Sequence, residues 1–283
     1  MKQVTVIGAG TMGNGIAHVF AQHGHDVTLV DVREAALERA RATIERNLDR
    51  QVRKERIKAG DKATTLARLR TSTVLAEAVK ASDLVVEAAT ENREVKLALF
   101  REMDAHAPAG TILASNTSSI SITQIAAATA RPDRVIGMHF MNPVPVMRLV
   151  EVIRGYATSD ETTATIMQLS RDIAKQPVEV NDYPGFVSNR VLMPMINEAV
   201  YALWEGVAGV EEIDTVLQLG MAHPMGPLHL ADFIGLDVCL SILRVLQEGL
   251  DPQRYVPCPL LVNMVAAGKL GRKTGEGFYR YGA

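Results

Sequence analysis

Residues 3–20 read QVTVIGAGTMGNGIAHVF, and the order of residue types in that stretch decides the fold. A short β-branched run, Gln3 to Ile7, is followed at once by Gly8, Gly10 and Gly13, and then by apolar residues at helical spacing through Phe20. The pattern is strand, tight turn, helix. The glycines have separate duties: a tight turn, close approach of backbone to a pyrophosphate, and close packing of helix on sheet. Free N–H groups at a helix start attract phosphate, so Gly8, Gly10, Thr11, Met12 and Gly13 are read as a dinucleotide-binding loop. HDVTLVD follows as a second strand and closes on Asp31, 18 residues after Gly13. A carboxylate there hydrogen-bonds a ribose 2′-hydroxyl and repels a 2′-phosphate, which predicts NAD over NADP. Arg33, close by, leaves tolerance of a 2′-phosphate open.

Working outward, LVVEA (residues 84–88) and TILAS (111–115) read as further strands, with a helix from about Arg93 to His106 between them. Strand alternating with helix predicts a parallel, doubly wound α/β sheet, whose ligands bind beyond the carboxyl ends of the strands. The polar residues at those ends are Glu91, then Asn116 and Ser118 in SNTSS, then His139 with Asn142 in HFMNP. SNTSS before an apolar helix also reads as a helix cap. His139 belongs to RVIGMHFMNPVPVMRLVEVI, residues 134–153, where two strand-like runs flank a proline-rich turn and the second run contains Glu151. An ionised carboxylate inside a strand is costly unless paired, and a histidine on the adjacent strand would pair it. Taken alone, the two also read as a core histidine and a solvent-facing glutamate.

From Arg33 to Lys58, Leu37, Ala40, Ile44, Leu48 and Val52 recur at steps of three and four, a helix with a thin apolar stripe. Asn47, Arg50 and Lys54 share a face of it, either a basic strip for an anionic ligand or a solvated surface. After DYPGFVSNR the chain turns helical, with VLMPMINEAVYALWEG, EEIDTVLQLG and GPLHLADFIGLDVCLSILRVLQEGL as helices, Pro194 kinking the first or sitting near its start. This predicts a dinucleotide-binding domain over residues 1–184 and a smaller all-helical domain over 185–283. The apolar content of the latter suggests a face buried against another subunit, with burial inside one subunit as the alternative. KLGRKTGEGFYRY reads as a closing loop with an aromatic, strand-like end.

Composition narrows the classes. A 283-residue chain with 22% charged residues and a net charge of −2 has no global excess to recommend nucleic acid or an anionic membrane. No apolar run approaches the roughly 20 residues of a membrane span, and the opening strand argues against a leader peptide. Cys239 and Cys258 are read as plain thiols of a reducing compartment, hence a cytoplasmic setting. The seven histidines show no metal-ligand spacing, and no nucleophile elbow supports hydrolysis.

Together, VIGAGTMGNGIA, SNTSSISI, GMHFMNPVPVMRLVEVI, PGFVSNR, HPMGPL and GRKTGEGFY, spread in order along the chain, resemble the L-3-hydroxyacyl-CoA dehydrogenases, and among them the short bacterial 3-hydroxybutyryl-CoA dehydrogenases. The resemblance implies a Rossmann-type domain with a protruding helical hairpin, and NAD-linked interconversion of a (3S)-3-hydroxyacyl-CoA and its 3-ketoacyl-CoA. It implies His139 as the base, Glu151 as its orienter, and Ser118 and Asn189 as holders of the substrate oxygen, with the site closing across the domain junction. It puts Glu91, Lys96, Asn116, Ser118, Asn142 and Lys273 on the nucleotide side, and Asn47, Lys54 and Ser118 on the CoA side. Asn47 stands where one family member carries a serine. A homodimer formed through the helical domain is the implied assembly. Two other readings remain: a related dehydrogenase acting on a free hydroxy acid, for which the basic strip has no use, and a non-catalytic NAD-binding sensor, which would not need His139, Glu151, Ser118 and Asn189 together.

Overall fold

The computed structural model describes residues 1–282. The chain divides into two compact units, Met1–Asp182 and the remainder from Tyr183. In the first, β1 (Gln3–Ile7), α1 (Thr11–Gln22), β2 (Asp26–Val30), α2 (Glu34–Arg53), α3 (Ala59–Ala67), β3 (Leu69–Ser72), α4 (Leu75–Ala78) and β4 (Leu84–Glu87) are followed by α5 (Arg93–His106), β5 (Ile112–Ser115), α6 (Ile122–Ala126), β6 (Val135–Phe140), β7 (Leu149–Arg154), α7 (Asp160–Asp172) and β8 (Gln176–Asn181). The strands form one sheet in the order β3-β2-β1-β4-β5-β6-β7-β8. Strands β1 to β6 are parallel, β7 runs antiparallel to β6, and β8 is parallel to β7. The reversal departs from the all-parallel expectation for a physical reason: residues 141–148 are too few for a parallel crossover but suffice for a hairpin. Edge strand β3 was not anticipated, because LRTS is short and mostly polar and buries only Leu69.

A hydrophobic core of this unit lies between one face of the sheet and the helices packed on it. Val4 and Val6 of β1, Leu29 of β2 and Val86 of β4 pack with Ile16 and Phe20 of α1 and with Leu37, Ala40, Ile44 and Leu48 of α2. Each fully buried leucine or isoleucine contributes roughly 1.5–3 kcal/mol of transfer free energy. The predicted long helix ends sooner than expected: α2 stops at Arg53, the chain reverses at Glu55 with φ +55°, and α3 returns as the second arm of a helical hairpin.

In the second unit, α8 (Ser188–Trp204), α9 (Val210–Thr215), a single π turn (Val216–Gly220), α10 (Pro227–Ile234), α11 (Leu236–Gly249) and α12 (Pro259–Ala266) surround their own core of Met193, Ile196, Val200, Leu228, Leu243 and Leu261, among others. Pro194 lies inside α8. The stretch read as one helix from residue 226 to 250 is two, broken at Gly235, whose φ of +105° no helix interior tolerates. Cys239 and Cys258 are free and buried, and burial pushes the Cys239 thiol up to about 12. Among the described residues no helix is long and apolar enough to cross a membrane.

Candidate active site at the carboxyl ends of the strands

The glycine loop sorts its residues by what each must avoid. Gly8 has φ +98°, and a Cβ there would lie 2.6 Å from the Ala88 carbonyl oxygen; one on Gly13 would lie 1.7 Å from Gly8 O. Both positions are demanded by the protein itself. A Cβ on Gly10 would meet nothing within 4 Å, so that side of the loop opens outward. Gly10 caps α1, whose first turn carries no acidic residue, and its N–H dipoles are therefore uncompensated for an anion. At the end of β2 the Asp31 carboxylate accepts from Ala9 N at 2.9 Å and from Arg33 N at 3.0 Å, with Arg33 Nε 3.7 Å away. A cavity of about 220 Å³ runs from this loop along α2, lined by Gly10, Thr11, Asn14, Arg33, Arg39 and Thr43 among others. An open-sided glycine, an acid-free helix start and a carboxylate beside the cavity fit the pyrophosphate and adenosine ribose of NAD.

Three strands along, at the carboxyl end of β6, His139 faces Glu151 directly across the antiparallel ladder. Nδ1 of His139 lies 2.8 Å from Glu151 Oε2, and both residues are buried. Such a bond, donated by Nδ1–H to the carboxylate, fixes the tautomer that can accept a proton at Nε2. Asn116, just beyond β5, accepts from Phe140 N at 2.9 Å and ties the end of β6 to its neighbour. Asn142 follows two residues later and precedes Pro143 through a cis peptide bond. The hairpin is braced from behind by Lys175, whose ammonium donates to the carbonyls of Val144 and Met147 at 2.5 and 2.8 Å. Burial brings the Lys175 pKa down to about 8.

Between these two regions, a chain of ionisable groups ends β4. Glu87, the last residue of that strand, is fully buried and accepts from Lys96 Nζ at 2.7 and 2.9 Å, from Ser115 Oγ at 2.7 Å and from Ala89 N at 2.7 Å. Lys96 Nζ also lies 3.4 Å from Glu91 Oε2. The other oxygen of Glu91 gathers the SNTSS loop, accepting from Thr117 Oγ1 at 2.6 Å, Ser118 N at 2.9 Å, Ser119 Oγ at 3.0 Å and Ser119 N at 3.1 Å. Partial burial opposes ionisation of Glu91, but Lys96 and these donors outweigh it and hold the carboxyl below its usual range. Ser118 is thus seated by a carboxylate rather than by the helix-cap role its sequence also suggested; Ser121 is the residue that caps α6.

The remaining candidates are distributed over other parts of the chain. On α2, Arg50 hydrogen-bonds Asn47, and Lys54 caps the helix end. Lys54 is 11 residues beyond Thr43 of the cavity lining, about 16 Å along the helix axis. Asn189 is buried in the first turn of α8. Lys273 lies in a short 3₁₀ turn, Arg272–Thr274, with its ammonium 2.5 Å from Asp237 Oδ1. Sequence reasoning passed over Glu87 and Lys175. Glu87 carried a usable signal, an acid between apolar neighbours in LVVEA, the same anomaly that drew attention to Glu151; Lys175, in a polar turn, carried none.

Comparisons with known proteins agree across the whole chain. Residues 3–183 match the family model described as 3-hydroxyacyl-CoA dehydrogenase, NAD binding domain, and residues 185–281 match the model of the C-terminal domain of the same enzymes. The chain is 55% identical over 281 residues to the probable 3-hydroxybutyryl-CoA dehydrogenase of Bacillus subtilis, covering 99% of this chain and 98% of that one. It is 48% identical over 288 residues to the mitochondrial hydroxyacyl-coenzyme A dehydrogenase of Mus musculus, covering 99% and 91%. The crystal structure of (S)-3-hydroxybutyryl-CoA dehydrogenase from Ralstonia eutropha superposes with a TM-score of 0.96 at 51% identity, covering 100% of both chains.

Proposed function

This chain belongs to the 3-hydroxyacyl-CoA dehydrogenase family, and we propose that His139, oriented by Glu151, carries the proton in its reaction. That reaction is the NAD-dependent interconversion of a (3S)-3-hydroxyacyl-CoA and its 3-ketoacyl-CoA. The dinucleotide, when bound, supplies the hydride acceptor. The observation that carries the proposal is the 2.8 Å bond between His139 Nδ1 and Glu151 Oε2 at the end of β6. In the oxidation direction, Nε2 of His139 takes the proton of the secondary hydroxyl while Nδ1–H stays on Glu151, whose carboxylate offsets the charge of the imidazolium. In the reverse direction the same proton returns to the developing alkoxide. Ser118 and Asn189 donate to the substrate oxygen, where charge builds as the carbon rehybridises.

On the nucleotide side, the glycine loop takes the pyrophosphate, Asp31 the adenosine ribose, and Glu91, Lys96, Asn116, Asn142 and Lys273 the nicotinamide half. Asn47 and Lys54 meet the CoA moiety, and the acyl group is short, as the names of the bacterial relatives suggest for those proteins. The helical domain exposes Val207, Leu219 and Met221 at 72%, 83% and 63%, apolar side chains that a homodimer formed through it would cover. The free thiols favour a cytoplasmic setting.

Initial rates with NADH and either acetoacetyl-CoA or free acetoacetate test the substrate class. We expect turnover with the thioester alone; equal rates with the free acid would reject the CoA assignment. A light-scattering mass of one chain would reject the dimer.

A further inference from the structure

We infer that Glu87 and Lys96 are positioning residues for this reaction: Glu87 aims the Lys96 ammonium at Glu91, and Lys96 steadies Glu91 as the post on which the Ser118 loop is hung. The inference rests on the proposed placing of Ser118 beside the substrate oxygen.

Four observations carry it. Lys96 is 1% exposed and Glu87 is 0% exposed, so the pair is taken wholly out of water. A buried ion pair is no better for stability than two apolar side chains of the same volume, which leaves its presence unexplained by folding alone. Lys96 is moreover the fourth residue of α5, near a helix N-terminus, where the backbone dipoles disfavour a cation. Glu87 and Glu91 together offset that cost. Finally, the Lys96 ammonium donates to Glu87 Oε1 at 2.7 Å and Glu87 Oε2 at 2.9 Å and forms an ion pair with Glu91 Oε2 at 3.4 Å. So placed, Lys96 acts on Glu91, which in turn holds Thr117, Ser118 and Ser119.

The charges acting on Glu91 make the idea testable by sign. Lys96 on α5 faces it, Glu87 on β4 stands behind Lys96, and the groups from the loop after β5 are neutral donors. Removing Lys96 takes away a cation and raises the Glu91 pKa. Removing the charge of Glu87 leaves Lys96 uncompensated and lowers it further. The ionised form of Glu91 holds the loop, so activity falls as pH falls through that pKa. Reduction of acetoacetyl-CoA is the direction to measure, because it requires protonated His139 and the acid limb therefore does not report the histidine.

The experiment is the pH–rate profile of NADH-dependent acetoacetyl-CoA reduction by the full-length enzyme, with NADH affinity measured in parallel by fluorescence titration. For Lys96→Met we expect the acid limb to move to higher pH by about 1 unit, roughly tenfold in rate on that limb, whatever the accompanying change in NADH affinity. Lys96→Arg should restore the limb, and Glu87→Gln should move it to lower pH. If Lys96→Met does not fold, the Glu87→Gln/Lys96→Met double variant, which buries no charge at the pair, carries the test and should move the limb to higher pH by less than Lys96→Met would, because the lost Glu87 charge partly offsets the lost cation. Limbs that stay in place, or that move the same way in Glu87→Gln and Lys96→Met, would overturn the inference, as would lost NADH affinity with an unmoved limb. Normal turnover in Ser118→Ala would instead overturn the functional reading on which it rests, whatever the limbs do.

Discussion

Both units bury carboxylates, and the partners of those carboxylates separate chemistry from construction. In the sheet domain buried Glu151 faces a histidine, and buried Glu87 holds a lysine that the more exposed Glu91 shares. In the helical domain Asp214 and Asp232 are as deeply buried, at 4% and 1%, but every partner is a neutral donor. Asp214 accepts from Leu228 N, His229 N and Tyr279 Oη at 2.8–2.9 Å, which caps the start of α10. Asp232 accepts from Phe278 N, Tyr279 N and Tyr281 Oη, each at 2.9 Å, and so folds the aromatic segment down onto α10. Burial, and then the Asp232 carboxylate, push the Tyr281 phenol up to about 12. An acid answered by backbone N–H groups and phenols holds parts together; an acid answered by a titratable base controls where a proton or a charge sits.

The contrast can be broken by mutation. The largest effect expected is on turnover: His139→Ala should lower kcat by about 10³- to 10⁴-fold, with NADH binding retained, as measured by stopped-flow and fluorescence titration. Glu151→Gln keeps the shape but removes the charge, and should cost about 10²- to 10³-fold in kcat with little change in urea midpoint. If either variant turns over normally, the proton-transfer assignment is lost. Asp232→Ala should do the opposite, losing about 3 kcal/mol in urea unfolding because two N–H groups and a phenol lose their acceptor. A fall in kcat at unchanged stability would mean that the helical-domain acids belong to the chemistry after all. Smallest is Lys54→Met, expected to raise KM for acetoacetyl-CoA about tenfold, or 1.4 kcal/mol, without changing KM for NADH; an unchanged thioester KM would make the α2 strip a solvated face.

How much of this was legible in the sequence depended on how far apart the interacting residues lie. The glycine loop and Asp31 form one contiguous strand–turn–helix–strand unit, and each glycine performs a local task that only a glycine can perform. His139 and Glu151 are 12 residues apart on a hairpin, so a strand pattern and one turn suffice to bring them together. Beyond that range the sequence is mute. Asp232 meets Tyr281 at a separation of 49 residues, and Ser115 meets Glu87 at 28, distances over which no periodicity carries information. Lys96 carries no local signal of burial in its charged helix, and only the resemblance put it on the nucleotide side; its pairing with Glu87 shows in the fold alone. The break at Gly235 was hidden because the apolar spacing on either side continues almost without a shift.

The antiparallel ladder between β6 and β7 has a consequence for heredity. His139 and Glu151 meet because they occupy opposite rungs, and side chains alternate faces along a strand. Losing one codon within Val135–Phe140 or Leu149–Arg154 would turn one member of the pair to the other side of the sheet while leaving every motif recognisable to the eye. A deletion that keeps the reading frame and nearly every residue can therefore still silence the enzyme.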